Sequence, residues 1–273
     1  MALVIEISAA PHRFTVAKAQ RLTVGRTEAA RLTVAQDASL DDIHFLLDYD
    51  GAKVRLENAS KKGTLVNGER ADKAELGDGG RITAGRTTFL LHTPVPPDKV
   101  TGEVLLGSWS IKALPEGWEL LEGFGFRRKG GGEFVHNVAF TEDLLEDGQT
   151  LDAYLERQQL GLRAFLEKED VSFEKHEPAR VAGAEETLTV SVQTTPPGGP
   201  EGGVLQWQIY ARRERLLGVV TATFRPSENA EAERFLRALA KALELRPAAP
   251  PPPEPAPPEA GTPGAPGEDA AGT

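Results

Sequence analysis

Covalent chemistry needs a nucleophile, a base or a metal cradle, and this chain offers little of any. It has no cysteine, which removes thiol nucleophiles, disulfides and cysteine-ligated metals together. Its histidines, at 12, 44, 92, 136 and 176, follow no metal-ligand spacing, and neither H-E-x-x-H nor G-x-S-x-G occurs. Gly80-Arg81-Ile82-Thr83-Ala84-Gly85-Arg86-Thr87 imitates a phosphate-binding loop with Arg for Lys. Such a loop opens a helix, whereas here Thr87 runs into Thr88-Phe89-Leu90-Leu91, which reads as a strand. Glu142-Asp143 and Glu167-Lys168-Glu169-Asp170 read as solvated faces. Arg212, Arg213 and Arg215 make a basic spot that suits an acidic partner and is too small for nucleic acid. What remains suits recognition: Arg26, then Asp41-Asp42-Ile43-His44, then Ser60-Lys61-Lys62. A guanidinium fixed on a rigid scaffold matches a phosphate dianion, and a carboxylate beside it can only accept hydrogen bonds.

These residues need elements to hold them. The chain has 273 residues, 40% hydrophobic and 26% charged, enough for two compact domains or one large one. Thirty-one Lys and Arg face 41 Asp and Glu, a net charge of -10. Such a chain does not draw nucleic acid or an anionic membrane across its whole surface. No apolar run reaches the length of a membrane span, and Met1-Ala2-Leu3-Val4-Ile5-Glu6-Ile7 lacks the basic lead of a signal peptide. The expectation is a soluble cytoplasmic protein with no cofactor.

Residues 1–92 read as all-β. Leu3, Ile5 and Ile7 alternate, as do Leu22 and Val24, and Val54 and Leu56. Asp50-Gly51 and Asn67-Gly68 mark hairpin turns between apolar runs. Short strands at this spacing predict a β-sandwich. Thr93-Pro94-Val95-Pro96-Pro97 suggests a stiff linker over 93–107. Residues 108–246 read as α+β. Leu151, Tyr154, Leu155, Leu162, Phe165 and Leu166 share one helix stripe. Strands are expected at 186–193, 204–212 and 216–224, the first two joined by the breaker-rich 196–200 loop. A last helix is expected over 228–244, capped by Ser227 and stopped by Pro247. An antiparallel sheet with helices packed on it follows. Residues 247–273 hold 10 of the 20 prolines, no aromatic residue and no Lys or Arg. Their acids are Glu254, Glu259, Glu268 and Asp269, so the tail carries -4 and residues 1–246 carry -6. Such a segment cannot offset its ordering entropy, and disorder is expected.

The first half resembles a forkhead-associated (FHA) domain across nearly all of residues 1–92. The resemblance rests on an ordered series: Val24-Gly25-Arg26, then Leu40-Asp41-Asp42-Ile43-His44-Phe45, then Asn58-Ala59-Ser60-Lys61-Lys62-Gly63-Thr64-Leu65-Val66-Asn67-Gly68, then Leu76-Gly77-Asp78-Gly79-Gly80-Arg81-Ile82. It implies a β-sandwich whose end loops read a phosphothreonine, with Arg26 on the phosphate. It also implies structural roles for Gly25, His44, Asn67 and Gly68. Two departures stand out. The family usually has Ser-Arg-x-His where this chain has Asp41-Asp42-Ile43-His44. Lys62 stands where the family has an asparagine that grips the peptide backbone. Asp41 would repel a dianion, or fill the site from within by pairing with Arg26. Lys61 and Lys62 would partly offset it or lie on a solvated turn. A register shift of one or two residues would put Ser39 in the serine's place.

The second half resembles the Mog1/PsbP-like domains, nearest the DcrB-like branch. The resemblance is carried by Leu114-Pro115-Glu116-Gly117-Trp118-Glu119, Asn137-Val138-Ala139-Phe140-Thr141-Glu142, the Leu151–Leu166 helix, and the meander from Gln206 to Thr223. It implies a non-catalytic partner-binding unit. Some relatives near type VI secretion genes shield apolar effector segments as chaperones. Trp109, Trp118, Phe124, Phe126 and Trp207 would line a groove for such a segment or form ordinary core. The whole reads as a non-enzymatic, two-domain adaptor. One protein partner sits at the loops of Arg26, Asp41, Ser60, Lys61 and Lys62, and an apolar segment sits on the second unit. The phosphothreonine-dependent reader in a kinase pathway is the alternative.

Overall fold

The computed structural model describes residues 2–8, 12–17, 20–121, 125–130, 132, 134–165, 171–195 and 202–247. The first eleven strands are β1 (Ala2–Ile7), β2 (His12–Ala17), β3 (Gln20–Gly25), β4 (Leu32–Thr33), β5 (Phe45–Tyr49), β6 (Val54–Asn58), β7 (Leu65–Val66), β8 (Glu69–Arg70), β9 (Lys73–Leu76), β10 (Arg81–Ala84) and β11 (Thr87–Val95). One sheet runs β4-β3-β5-β6-β9 and faces another that runs β2-β1-β11-β10-β7-β8. The alternating Leu3, Ile5 and Ile7 meet Leu22, Val24, Phe45, Leu47, Val54 and Leu56 in one core between the sheets, as period-2 patterning requires. The Asp50 carboxylate accepts from the backbone N–H of Ala52 and Lys53, each at 2.9 Å, closing the β5–β6 hairpin.

The second region comprises β12 (Glu103–Leu106), β13 (Trp109–Ile111), β14 (Trp118–Leu121), β15 (Gly125–Arg128), β16 (Asn137–Leu144), α1 (Leu151–Phe165), β17 (Val171–His176), β18 (Glu186–Thr194), β19 (Val204–Arg213), β20 (Leu216–Phe224), α2 (Asn229–Ala240) and β21 (Leu243–Leu245). Seven of its strands form an antiparallel sheet, β14-β15-β16-β20-β19-β18-β17. Residues of β19 alternate between its faces. Trp207, Ile209 and Ala211 join the core with Ala232, Leu236 and Leu239 of α2. Tyr210 joins Leu151, Tyr154 and Leu155 of α1.

Three local expectations need correction. The 93–107 stretch is not a spacer. It holds the end of β11 and all of β12, which pairs parallel with β2 (Val104 opposite Thr15) and antiparallel with β13, itself paired with β21. The sandwich sheet therefore runs on into the second region, with Leu105 in the first core and Val104 and Leu106 in the second. The last helix stops at Ala240, because Leu243 and Leu245 turn into β21. Ser227 does not cap it: α2 follows a 3-10 turn at Pro226–Glu228, and Glu228 sits at the cap position without a side-chain cap bond. Phe124, Leu166, the 196–200 loop and residues 248–273 lie outside the described residues.

Trp109, Trp118, Phe126 and Trp207 are buried in one core. Gly218 lies under Trp109: a Cβ there would come within 2.4 Å of the indole. The Arg212–Arg215 spot is already committed within the chain, since Arg212 pairs with Glu186 at 3.2 Å, Arg213 with Glu28 at 2.9 Å and Arg215 with Asp147 at 3.3 Å.

Candidate partner-binding site

The loop after β3 carries Arg26, and its course is fixed by backbone bonds. The Arg26 N–H donates to the Asp41 carbonyl at 2.9 Å, and the His44 N–H donates to Val24 at 2.8 Å. Gly25 makes this approach possible, since a Cβ there would lie 2.0 Å from the Asp42 carbonyl oxygen. His44 is fully buried. Its Nδ1 accepts from the Asp41 N–H at 3.2 Å, and its Nε2 lies 3.2 Å from the Gly63 carbonyl, so the ring ties the Asp41 loop to the Lys62 loop. Asn58 organises the latter. Its Oδ1 accepts from the Ser60 N–H and the Thr64 hydroxyl, and its Nδ2 donates to the Ser60 carbonyl. Asn67 and Gly68, at φ of 52° and 93°, form the turn between β7 and β8, and the Asn67 Oδ1 accepts from Arg81 N–H at 2.9 Å.

The charges on these loops do not pair as the sequence suggests. Arg26 meets Asp42 rather than Asp41, its guanidinium donating to Oδ1 at 2.9 Å. Asp41 takes the Ser60 hydroxyl on one oxygen at 2.5 Å and the Lys62 ammonium on the other at 2.7 Å. The Lys62 ammonium comes first and Ser60 second in holding the Asp41 carboxyl below the usual range, against the opposing effect of burial. Arg26, Asp41, Asp42 and Lys62 thus sum to zero charge. Lys61 is exposed beside them.

Ser39 does not stand in for the missing serine. Its hydroxyl bonds the Asp37 carboxylate and accepts from the Arg86 N–H at 3.1 Å. Asp37, which the sequence does not single out, is buried and also accepts from Arg86 N–H at 2.8 Å and the Thr87 hydroxyl at 2.7 Å. Burial alone would raise its carboxyl. The Ser39 and Thr87 hydroxyls and the backbone donors outweigh that and hold it far below the usual range. Next to this brace lies a hollow of about 390 Å³, lined by Ser39, Lys62, Leu65, Arg70, Thr83 and Arg86 among others. Gly63 (φ 84°) leaves the room that the Arg70 guanidinium fills. Arg70 escapes notice in the sequence, and Arg86 enters there only through the rejected phosphate-loop likeness, because only the fold brings them to Lys62.

No group of three or more metal-ligating side chains occurs among the described residues. Residues 22–85 match the family model of the FHA domain. No curated protein matches the chain. Among solved structures, the FHA domain of the CT664 protein from Chlamydia trachomatis is 20% identical, covering 35% of this chain and all of that one, with TM-score 0.33. The FHA domain of an Arabidopsis thaliana hypothetical protein is 22% identical, covering 37% and 91%, with TM-score 0.33. The N-terminal FHA domain of Saccharomyces cerevisiae Rad53p, in complex with a phosphothreonine peptide, is 16% identical, covering 34% and 93%, with TM-score 0.31. Residues 22–85 are an FHA domain, a non-enzymatic protein-interaction module. Residues 108–246 carry no family assignment from these comparisons.

Proposed function

We propose that this FHA domain is degenerate as a phosphothreonine reader and binds its protein partner without requiring phosphate. The observation that carries this reading is the Arg26–Asp42 pair at 2.9 Å, next to an Asp41 held charged by Ser60 and Lys62. Relative to the family pattern, position 41 goes from neutral to -1, position 42 from +1 to -1 and position 62 from neutral to +1, a net change of -2. Two like charges about 4 Å apart near a surface repel by on the order of 4 kcal/mol. A single hydrogen bond to a charged group returns about 1.5–3 kcal/mol. For a phosphate dianion seated on Arg26 at that distance from the Asp41 carboxylate, the repulsion exceeds the bond gained.

One observation favours the ordinary phosphothreonine reader instead: the Arg26 side chain is 44% exposed, and an exposed pair of this kind is worth about 0–1 kcal/mol, so Asp42 is displaceable. Asp41 decides between the readings, because its two partners hold it in place.

The second region is, in this reading, a Mog1/PsbP-like partner-binding unit that makes the chain an adaptor, in keeping with a link to type VI secretion. Its buried tryptophans exclude them as the docking surface for an apolar segment. A hollow of about 400 Å³ between α1 and the sheet, bordered by Leu162, Phe173, Val192 and Tyr210, is an apolar surface open to that role. Affinity capture with the full chain, before and after phosphatase treatment of the lysate, tests the proposal. The same bands should be retained in both; loss after phosphatase restores the phosphothreonine reader.

A further inference from the structure

The hollow next to the Asp37 brace is lined by three cations, Lys62, Arg70 and Arg86, and by no acid. Lys62 spends its ammonium on Asp41 and on the Ser39 carbonyl. Arg70 has no carboxylate partner among the described residues. Arg86 stands 76% exposed, with its Nε 3.6 Å from an Asp37 whose oxygens already accept from Ser39, Thr87 and the backbone. Leu65, 40% exposed, adds an apolar surface between them. A guanidinium with no carboxylate partner among the described residues, and a second, itself exposed, whose one ion pair is long, suit carboxylates on an extended peptide.

We propose that the occupant is this chain's own 248–273 segment, docked in cis. The segment is wholly acidic in its charges, with Glu254, Glu259, Glu268 and Asp269 and no Lys or Arg. Its point of departure is on the FHA side of the molecule. Arg246, one residue before Pro247, donates its N–H to the Ser108 carbonyl at 2.8 Å, and its guanidinium bonds the Arg31 carbonyl. From Arg31 the chain leads back five residues to Arg26, whose N–H bonds Asp41, which pairs with Lys62 at the hollow's rim. A proline-rich strand rises about 3.1 Å per residue, so Glu259 can lie up to ~37 Å and Glu268 up to ~65 Å from Pro247. Five residues span at most ~18 Å, so the hollow falls within that reach. The covalent tether raises the effective concentration to the millimolar range, so a few carboxylate–guanidinium pairs hold the segment on the hollow for part of the time, a fraction that a nearby nitroxide reads.

Docking would place acidic charge over the hollow and beside Lys62, so a partner of the loops would compete with it. The absence of native cysteine allows a single nitroxide on the full-length Ala270→Cys chain. At about 20 mM salt the amide signals of Arg70, Gly85 and Arg86 should lose most of their intensity, and at about 0.5 M salt they should recover, since screening then acts within a few ångströms. The loss should vanish in the added E254Q/E259Q/E268Q/D269N background and in R70E/R86E. Unaffected signals, equal broadening in the neutralised segment, or strongest broadening elsewhere on the molecule would overturn the proposal.

Discussion

Two arginines in one loop have opposite fates. Arg26 lies on the surface, 44% exposed, and its single ion pair is with an Asp42 that is 63% exposed. Arg31, five residues on, is 14% exposed and reaches across to the second region, where its guanidinium bonds the Ser108 hydroxyl at 3.3 Å and lies 3.8 Å from Glu142. Arg246 completes that seam against Glu103 and the Arg31 carbonyl. Burial pushes the Arg31 guanidinium below its usual value, with Glu142 pulling the other way. At Arg26 water stands ready to replace the partner, so the pair is exchangeable. At the seam the groups are mostly buried, so water replaces a partner less readily and each group depends more on the other. The loop is thus anchored at one end and adjustable at the other, which is how a binding loop on a rigid scaffold is built.

The largest effect should come from breaking the seam. Arg246→Ala leaves Glu103 with the Ser110 hydroxyl as partner and removes the donor from the Arg31 carbonyl in a partly buried place, and should cost about 3 kcal/mol, the low end for a buried pair, read as a lower urea midpoint. Because β12 and β21 share one sheet with the sandwich, the FHA domain and the second region should unfold together. Two separated transitions would break the account of a shared core. Gly25→Ala comes next. Its Cβ would meet the Asp42 carbonyl at 2.0 Å, and overpacking against backbone should cost about 1–3 kcal/mol while spreading the Arg26 and Asp41 loops.

The pH dependence should be intermediate in size. Asp37 is held below the usual carboxyl range, and so is Glu228. For Glu228, burial opposes, and the His136 ring at 2.6 Å with the Arg225 N–H outweighs it. Each therefore binds its proton less tightly in the folded chain than in the unfolded one. The stabilisation is fully present above about pH 5 and drains away as pH falls through the lower folded values, with a slope of up to about 1.4 kcal/mol per unit for each group. Urea titrations between pH 3 and pH 6 should show this, and His136→Gln should flatten the Glu228 part. Smallest of all, Asp42→Ala should change stability by less than about 1 kcal/mol.

The sequence reveals regular elements well and convergence poorly. The strands expected at 186–193, 204–212 and 216–224 lie at 186–194, 204–213 and 216–224, because long alternating runs carry their own periodicity. β12 and β21 escaped because three or four apolar residues fit a linker or a helix end equally well. Their identity comes from partners far away in the chain, Val104 against Thr15 and Leu245 against Trp109. At the site, the FHA series located the loops. It did not tell which of two adjacent aspartates faces Arg26, since side-chain direction in a loop has no period. Nor did it bring Arg70 and Arg86 to Lys62, or Glu28 to Arg213 across 185 residues, because those meetings are products of tertiary packing alone.

The central claim is that Asp41 and Asp42 cancel the phosphate-reading capacity of Arg26. Calorimetric titration of the full chain with phosphothreonine peptides tests it most directly, run beside D41S/D42R, which restores the family pattern at those positions. The wild-type chain should show no micromolar binding, and the double variant should gain at least about tenfold, or 1.4 kcal/mol. Micromolar binding by the wild-type chain, abolished by Arg26→Ala, would contradict the account.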